Sequence, residues 1–471
     1  MSERENFFDG GDDFYQSVQK YEEQLKKNKP LFFDTHTFED LISYYEMRGA
    51  LNKALGATDY AISIYPFSAS FLVKKASLLM QQKKLSKAMT LLNAAEAIEP
   101  GEIGVYLLRS DIYLIRENHE EALKEIRKAM DITEEEQMPD LWLELADVYE
   151  DWGKTDEVFD CIKTSILLDP ENEEALNRMW YAVEISRRYE DSVEFHKNLL
   201  EEFPYSYLAW QNLGQAYYFL NLFEKAVESY EFVMAINETY DLAYRDCAEA
   251  HFKLKNFHQS IECYQKAIHY SRPSEELYFC IGECYERMKD FGKARLHYRK
   301  VLNLSPQFAY AHYRIGLTYR AEKQFHSSLI YLSKAIRFDD TKVTFLLSAA
   351  RVATLLDDEG ELIFINQKLL SIISKVKGLK AYEQIIQLLL ELNLNDVALE
   401  TISKVEQSKS HSVNLTLLKS VAAFKEGWTN YGLELFSQVL FEDATKAKMF
   451  FRMLPELRSD EEVLRIIDIY R

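Results

Sequence analysis

The feature that most constrains this chain is a pattern that returns every 34 residues. Trp210, Leu213, Gly214 and Tyr217 stand at the spacing W-x2-L-G-x2-Y, and Ala226 and Tyr230 follow as A-x3-aromatic. One period on, Tyr244, Cys247, Ala248 and His251 fill the same slots; then come Tyr278, Ile281, Gly282 and Tyr285, then His312, Ile315, Gly316 and Tyr319. Toward the N-terminus the slots hold Leu176, Met179, Trp180 and Val183, and before them Trp142, Leu145, Ala146 and Tyr149. Beyond a two-residue insertion in the acidic stretch Thr133 to Gln137, the register resumes with Tyr106 and Tyr113, then Ala76 and Leu79, then Phe38, Leu41 and Tyr45. Nine units therefore start at 35, 69, 103, 139, 173, 207, 241, 275 and 309. Such regularity overrides the three-domain count that 471 residues would otherwise suggest.

Within a unit, positions 4, 7, 8 and 11 are apolar, and so are positions 20, 24 and 27. Each set is one face of a 3.6-residue helix. Position 8 is Gly or Ala in most central units, as in Gly214, Ala248, Gly282 and Gly316. A mid-helix Gly costs about 1 kcal/mol against Ala, so a close approach of the two helices is the reason to keep it. Pro66, Pro100, Pro170, Pro204 and Pro306 all occupy position 32, where Pro stops the second helix. With only 15 Gly and 9 Pro in the chain, turn-rich β architectures are disfavoured.

These residues resemble the tetratricopeptide repeat (TPR). The resemblance implies an all-α, right-handed α-solenoid superhelix of about twelve helix-turn-helix units. Weaker units are expected from about 343 (Leu346, Ala349, Ala353, with the acidic DDEGE segment replacing the usual turn), from about 379 (Tyr382, Ile385, Leu389, Ala398) and from about 413 (Ala423, Gly432, Phe436). The expected organisation is an acidic N-terminal tail and capping helix over 1–34, nine units over 35–342, three degenerate units over 343–446 and C-terminal capping helices over 447–471. Phe14, Val18, Tyr21 and Leu25 form the stripe of the first cap. Ser459 with Glu462 reads as a capping box opening a helix that carries Val463, Ile466, Ile467 and Tyr470.

No phosphate-binding loop, dinucleotide fingerprint, H-E-x-x-H or C-x-x-C is present. No His completes a structural-zinc spacing with Cys161, Cys247, Cys263, Cys280 or Cys284, so no metal, cofactor or catalytic residue is expected. His196, His251 and His312 read as core residues, and the chain reads as no enzyme. The net charge of −20 disfavours nucleic acid and anionic membranes. The opening residues lack a basic segment followed by an apolar one, and no run of 18 apolar residues occurs. A cytoplasmic, disulfide-free protein is expected.

In the TPR arrangement, unit positions 2, 5, 9 and 12 face a concave groove. Over twelve units these positions hold thirteen acids and four bases (Arg245, Arg320, Arg351 and Lys380). The expected partner-binding residues are Asp140, Asp147, Glu150, Tyr181, Glu184 and Tyr218, then Phe252, Phe279, Glu283, Glu286, Tyr310 and Tyr313. Acids interleaved with aromatics fit a protein or peptide with a basic, extended segment. The alternatives are an assembly protein that self-associates through its ends or convex face, and a regulatory peptide receptor.

Overall fold

The computed structural model describes residues 16–23, 32–373, 378–407 and 412–470, and among them every regular element is a helix. After a helix over 16–23, helices follow in consecutive pairs, numbered here as repeats one to twelve. The first helices are Thr35–Met47, Ala69–Gln81, Ile103–Ile115, Met138–Asp151, Glu173–Ser186, Tyr207–Phe219, Asp241–Lys253, Glu275–Arg287, Ala309–Ala321, Val343–Leu355, Leu379–Glu391 and Val413–Lys425. Their partners are Leu51–Ile64, Leu85–Ile98, His119–Ile132, Thr155–Leu168, Tyr189–Glu202, Phe223–Ile236, Phe257–Tyr270, Phe291–Leu304, Phe325–Phe338, Glu359–Ile373, Asn395–Gln407 and Thr429–Glu442. The chain forms two compact bodies, Met1–Glu238 with repeats one to six and Thr239–Arg471 with repeats seven to twelve.

The small residue at position 8 sets the distance between paired helices. A Cβ on Gly214 would lie 2.6 Å from the Tyr230 ring, one on Gly282 2.5 Å from the Tyr298 ring, and one on Gly316 2.8 Å from Leu332. Tyr230, Tyr298 and Leu332 are all fully buried, so none can step aside. In repeats seven and nine position 20 is Ser, and its hydroxyl adds a bond across the pair: Ser260 Oγ donates to the Ala248 carbonyl and Ser328 Oγ to that of Gly316, both at 2.8 Å.

Repeat five departs from this rule. Trp180 occupies the small-residue slot, and the two helices of that repeat scarcely touch, although each packs broadly on its neighbours. The indole instead stacks on Phe219 (6.1 Å, 19°), and Phe219 stacks on Tyr189 (5.1 Å, 14°). A side chain of that volume has no room between closely paired helices, so the pair opens and an aromatic ladder fills the gap.

Every intra-repeat turn uses one residue in the left-handed region. Gly49, Gly153 and Gly427 do so at φ +67° to +78°. The other nine are Lys83, Glu117, Arg187, Asn221, Lys255, Lys289, Lys323, Asp357 and Asn393, at φ +55° to +63°. The turn at Asp357 corrects the expectation for the DDEGE segment: it does not replace the usual turn but forms it, with Asp358 Oδ1 accepting from Glu361 N at 3.0 Å as the next helix begins.

Each position-32 proline lies two residues beyond its helix, and the carbonyls of three of them serve the next repeat. Tyr106 Oη donates to the Pro100 carbonyl (2.8 Å) and Trp210 Nε1 to that of Pro204 (2.9 Å). His312 Nε2 takes the same role toward the Pro306 carbonyl (3.0 Å), which fixes its proton on Nε2. His312 is thus a core residue in an aromatic slot, as read from the sequence. His196 is fully buried with Nδ1 2.8 Å from the Ser192 carbonyl, and burial lowers its pKa to about 4.

At the N-terminal end, Val18 and Tyr21 are buried against Phe38, Leu41 and Tyr45. Phe14 and Leu25 lie outside the described residues. At the other end, Val463 is buried, and Ile466, Ile467 and Tyr470 pack on the last repeat. The cap of that helix corrects the sequence reading. Asp460, not Ser459, accepts from Glu462 N (3.0 Å) and Val463 N (3.1 Å), while Ser459 closes a preceding 3-10 turn. One residue of added turn moved the cap downstream.

Two substitutions test the pairing. Gly282→Ala gains helix propensity yet meets the Tyr298 ring, and is expected to lower stability by about 1–3 kcal/mol. Lys289→Gly relieves a left-handed residue and is expected to raise it by about 0.5–1 kcal/mol. Urea midpoints of the two variants are expected to move in opposite directions.

Candidate functional site

In each body several successive first helices pack directly on one another. In the N-terminal body Ala69–Gln81 meets Ile103–Ile115, which meets Met138–Asp151, and Glu173–Ser186 meets Tyr207–Phe219. In the C-terminal body the first helices of repeats nine to twelve do the same. Among the described residues, second helices of successive repeats make no comparable contact. The expected binding residues all stand on these first helices.

On the N-terminal body the acids of that face converge. Asp147, half exposed, pairs with Arg178, which reaches over from the next repeat. Glu150 accepts a hydrogen bond from Tyr181, whose pKa is raised by that bond and by the charges of Glu150 and Glu184. Tyr181 is 42% exposed. Asp140 is exposed and accepts weakly from Asn172 Nδ2 at 3.4 Å, and Glu184 is exposed beside Tyr181. Tyr218 is half-buried, edge-on to Phe219 (5.9 Å) and Phe223 (5.4 Å).

Two acids the binding-residue set omitted complete this cluster. Asp111 is half-buried, and burial followed by the Asp147 charge raises its pKa. Glu144 is raised by burial, then by Asp147 and Asp111, and Arg178 offsets only part of this. Asp111 sits at position 9 and was within reach of the sequence pattern. Glu144 and Arg178 both sit at position 6, which the groove rule does not count. Trp180, next to Tyr181 but in the small-residue slot, stacks on the partly exposed Phe219.

On the C-terminal body the expected residues are more fully engaged. Arg314 pairs with both Glu283 and Glu286 (3.4 Å to the latter), and Tyr298 Oη donates to Glu286 at 2.8 Å. Phe279 packs between Tyr298 (5.3 Å) and Phe308 (5.7 Å). Tyr313 stacks on Phe345 at 4.5 Å, and its hydroxyl lies 3.3 Å from Ser348 Oγ. Tyr310 is exposed, edge-on to Phe345 and under Lys342. Phe252 and Glu283 share a small open cleft of about 180 Å³ with Tyr264 and Cys280.

The fold also brings together three side chains that no sequence spacing grouped. Cys247 and His251 are one turn apart on the first helix of repeat seven, and Cys263 lies on its partner helix. Their ligand atoms all fall within 4.8 Å of one another, with the two sulfurs 3.8 Å apart. No linear motif announces this set, because one member comes from across the helix pair, sixteen residues from Cys247.

Models described as tetratricopeptide repeat match residues 103–136, 139–172, 207–240, 248–272, 275–308 and 309–342. The chain is a tetratricopeptide repeat protein. The human Protein O-mannosyl-transferase TMTC1 is 22% identical over 196 residues, 41% of this chain, and the match spans 22% of that protein's length. A crystal structure of MamA is 23% identical, covering 35% of this chain and 97% of that one, with a TM-score of 0.33. A crystal structure of YrrB, described as a TPR protein with an unusual peptide-binding site, is 13% identical, covering 38% and 91%, with a TM-score of 0.32. Among the described residues, no helix is long and apolar enough to cross a membrane.

The titrations carry a test. Folded Asp111 and Glu144 hold their protons to higher pH than they would unfolded, so the fold loses stability as pH rises through that interval. His196 acts oppositely: its folded pKa of about 4 lies below the ordinary 6.5, so its contribution is complete above 6.5 and is lost as pH falls toward 4. Asp111→Asn is therefore expected to raise the urea midpoint at pH 7 and to narrow its advantage on acidification. His196→Leu is expected to flatten the loss between pH 6.5 and 4. Tryptophan fluorescence suits the measurement, since Trp142, Trp152, Trp180 and Trp210 all lie in the N-terminal body.

Proposed function

We propose that this protein is a non-enzymatic scaffold that holds a basic, extended segment of a partner protein on the first-helix face of repeats three to six. Protein recognition is the general use of tetratricopeptide repeats, and the family match supports that much. The charge preference rests on one observation: Asp111 and Glu144 are half-buried acids with raised pKa values, that of Glu144 even with Arg178 beside it. A surface meant only for solubility would expose its carboxylates fully. Half-buried, under-compensated ones gain when a ligand's Lys or Arg arrives. Tyr181, Trp180 and Phe219 supply flat area for the cation's alkyl stem and for cation–π contact.

This reading ranks the two faces. Glu283 and Glu286 already have Arg314, so the C-terminal face contributes less to charge recognition and more through Tyr310 and Phe252. The proposed organisation is nine regular repeats over 35–342, three weaker ones over 343–446 and a cap at each end. Its five free thiols suit a reducing, cytoplasmic setting.

A fluorescent Lys/Arg-rich peptide with interspersed aromatics is the probe. Affinity is expected to fall as salt rises and to drop at least about tenfold in the Asp111→Lys/Asp147→Lys/Glu150→Lys variant. Reversing Glu190 and Glu194, exposed on the second helix of repeat five, serves as the control and is expected to leave it unchanged. Equal binding by wild type and the triple variant would refute the placement.

A further inference from the structure

We infer that repeat seven carries a binding site for a thiophilic divalent cation, Zn²⁺, built from Cys247, His251 and Cys263. The three ligand atoms lie within 4.8 Å of one another. Two sulfurs bound to one zinc at about 2.3 Å and the tetrahedral angle sit about 3.8 Å apart. The Cys247 and Cys263 sulfurs are 3.8 Å apart. Binding converts both thiols to thiolates, so Zn²⁺ and its two sulfurs sum to zero charge with a neutral imidazole. That balance suits a site where Cys247 is buried and the other two are half-buried. Three protein ligands leave the fourth position to water or an incoming donor.

The repeat itself imposes this geometry. Cys247, His251 and Cys263 occupy positions 7, 11 and 23 of their repeat. In repeat three, positions 7 and 23 hold Arg109 and Glu125, a buried ion pair at 3.5 Å. In repeats eight and nine, positions 11 and 23 hold Tyr285 over His297 (5.4 Å) and Tyr319 over Tyr331 (5.6 Å), both stacked. These slots therefore face one another across the pair as a property of the fold. Repeat seven fills all three with metal-ligating side chains.

The test uses the full chain, reduced and freed of metal by a chelator. Titrated with Co²⁺ as a spectroscopic probe, it is expected to bind one equivalent with thiolate charge-transfer absorption and tetrahedral visible bands. Zn²⁺ is expected to displace the cobalt, with two protons released per site from protonated thiols. Cys247→Ser and Cys263→Ser are each expected to weaken Zn²⁺ binding by more than about a hundredfold, while Cys161→Ser and Cys284→Ser leave it unchanged. The variant Cys247→Leu/His251→Tyr/Cys263→Ser copies Leu213, Tyr217 and Ser229, which fill these slots in repeat six. It keeps a packing the fold already uses and is expected to abolish binding with helical circular dichroism intact. No absorption band in the wild-type chain would overturn the inference. So would a band that survives in the triple variant, or oxidation of Cys247 and Cys263 to a disulfide with no uptake of metal by the reduced form.

Discussion

The close approach of two helices within a repeat is the constraint on which the rest depends. Helices of thirteen or fourteen residues are marginal alone and gain their stability from packing. A pair approaches closely where one helix presents a small residue to a large one on the other, as Gly214 does to Tyr230 and Gly282 to Tyr298. The outer sides of the pair remain apolar, so the next repeat must cover them, and the position-32 prolines fix where it starts. The bond from Tyr106, Trp210 or His312 back to a proline carbonyl ties that junction with a group the terminated helix could not otherwise satisfy. Repeat five shows the rule by its exception: Trp180 in the small slot parts the pair, and its ring stacks on Phe219, which stacks on Tyr189, to fill the gap.

The charge on the first-helix faces divides along the same lines. Position 6 points between neighbouring first helices, so a basic residue there meets acids of the preceding repeat. Arg314 neutralises Glu283 and Glu286 in this way, and Arg178 answers Asp147. In repeat four the same position is Glu144, an acid among acids, whose pKa is raised by burial and then by Asp147 and Asp111, while burial and Asp147 raise that of Asp111. The net charge of the chain thus says less about recognition than the residue type at one position of one repeat.

Positions 7, 11 and 23 behave as an interchangeable interior. They hold apolar residues in repeat four (Leu145, Cys161), a buried ion pair in repeat three, stacked rings in repeats eight and nine, and two thiols with an imidazole in repeat seven. Stability comes from the many repeats around each such site, so one repeat can carry polar chemistry without unfolding the array.

The sequence by itself determined the helical class, the 34-residue register, the small-residue slot and the prolines that follow five of the second helices. All of these are local: a helix face is written in residues three and four apart, and proline acts on its own backbone. Tertiary structure alone decided the rest. Nine of the twelve turns put Lys, Glu, Arg, Asn or Asp in the left-handed region, so glycine did not mark them; the packing of the pair forces the conformation. The terminal cap moved from Ser459 to Asp460 because a 3-10 turn precedes it. Arg178 meets Asp147 from 31 residues away, and Cys263 meets Cys247 from sixteen. Such pairs join different helices, and the helical period that reveals each helix carries no information about which residues of its neighbour it will face.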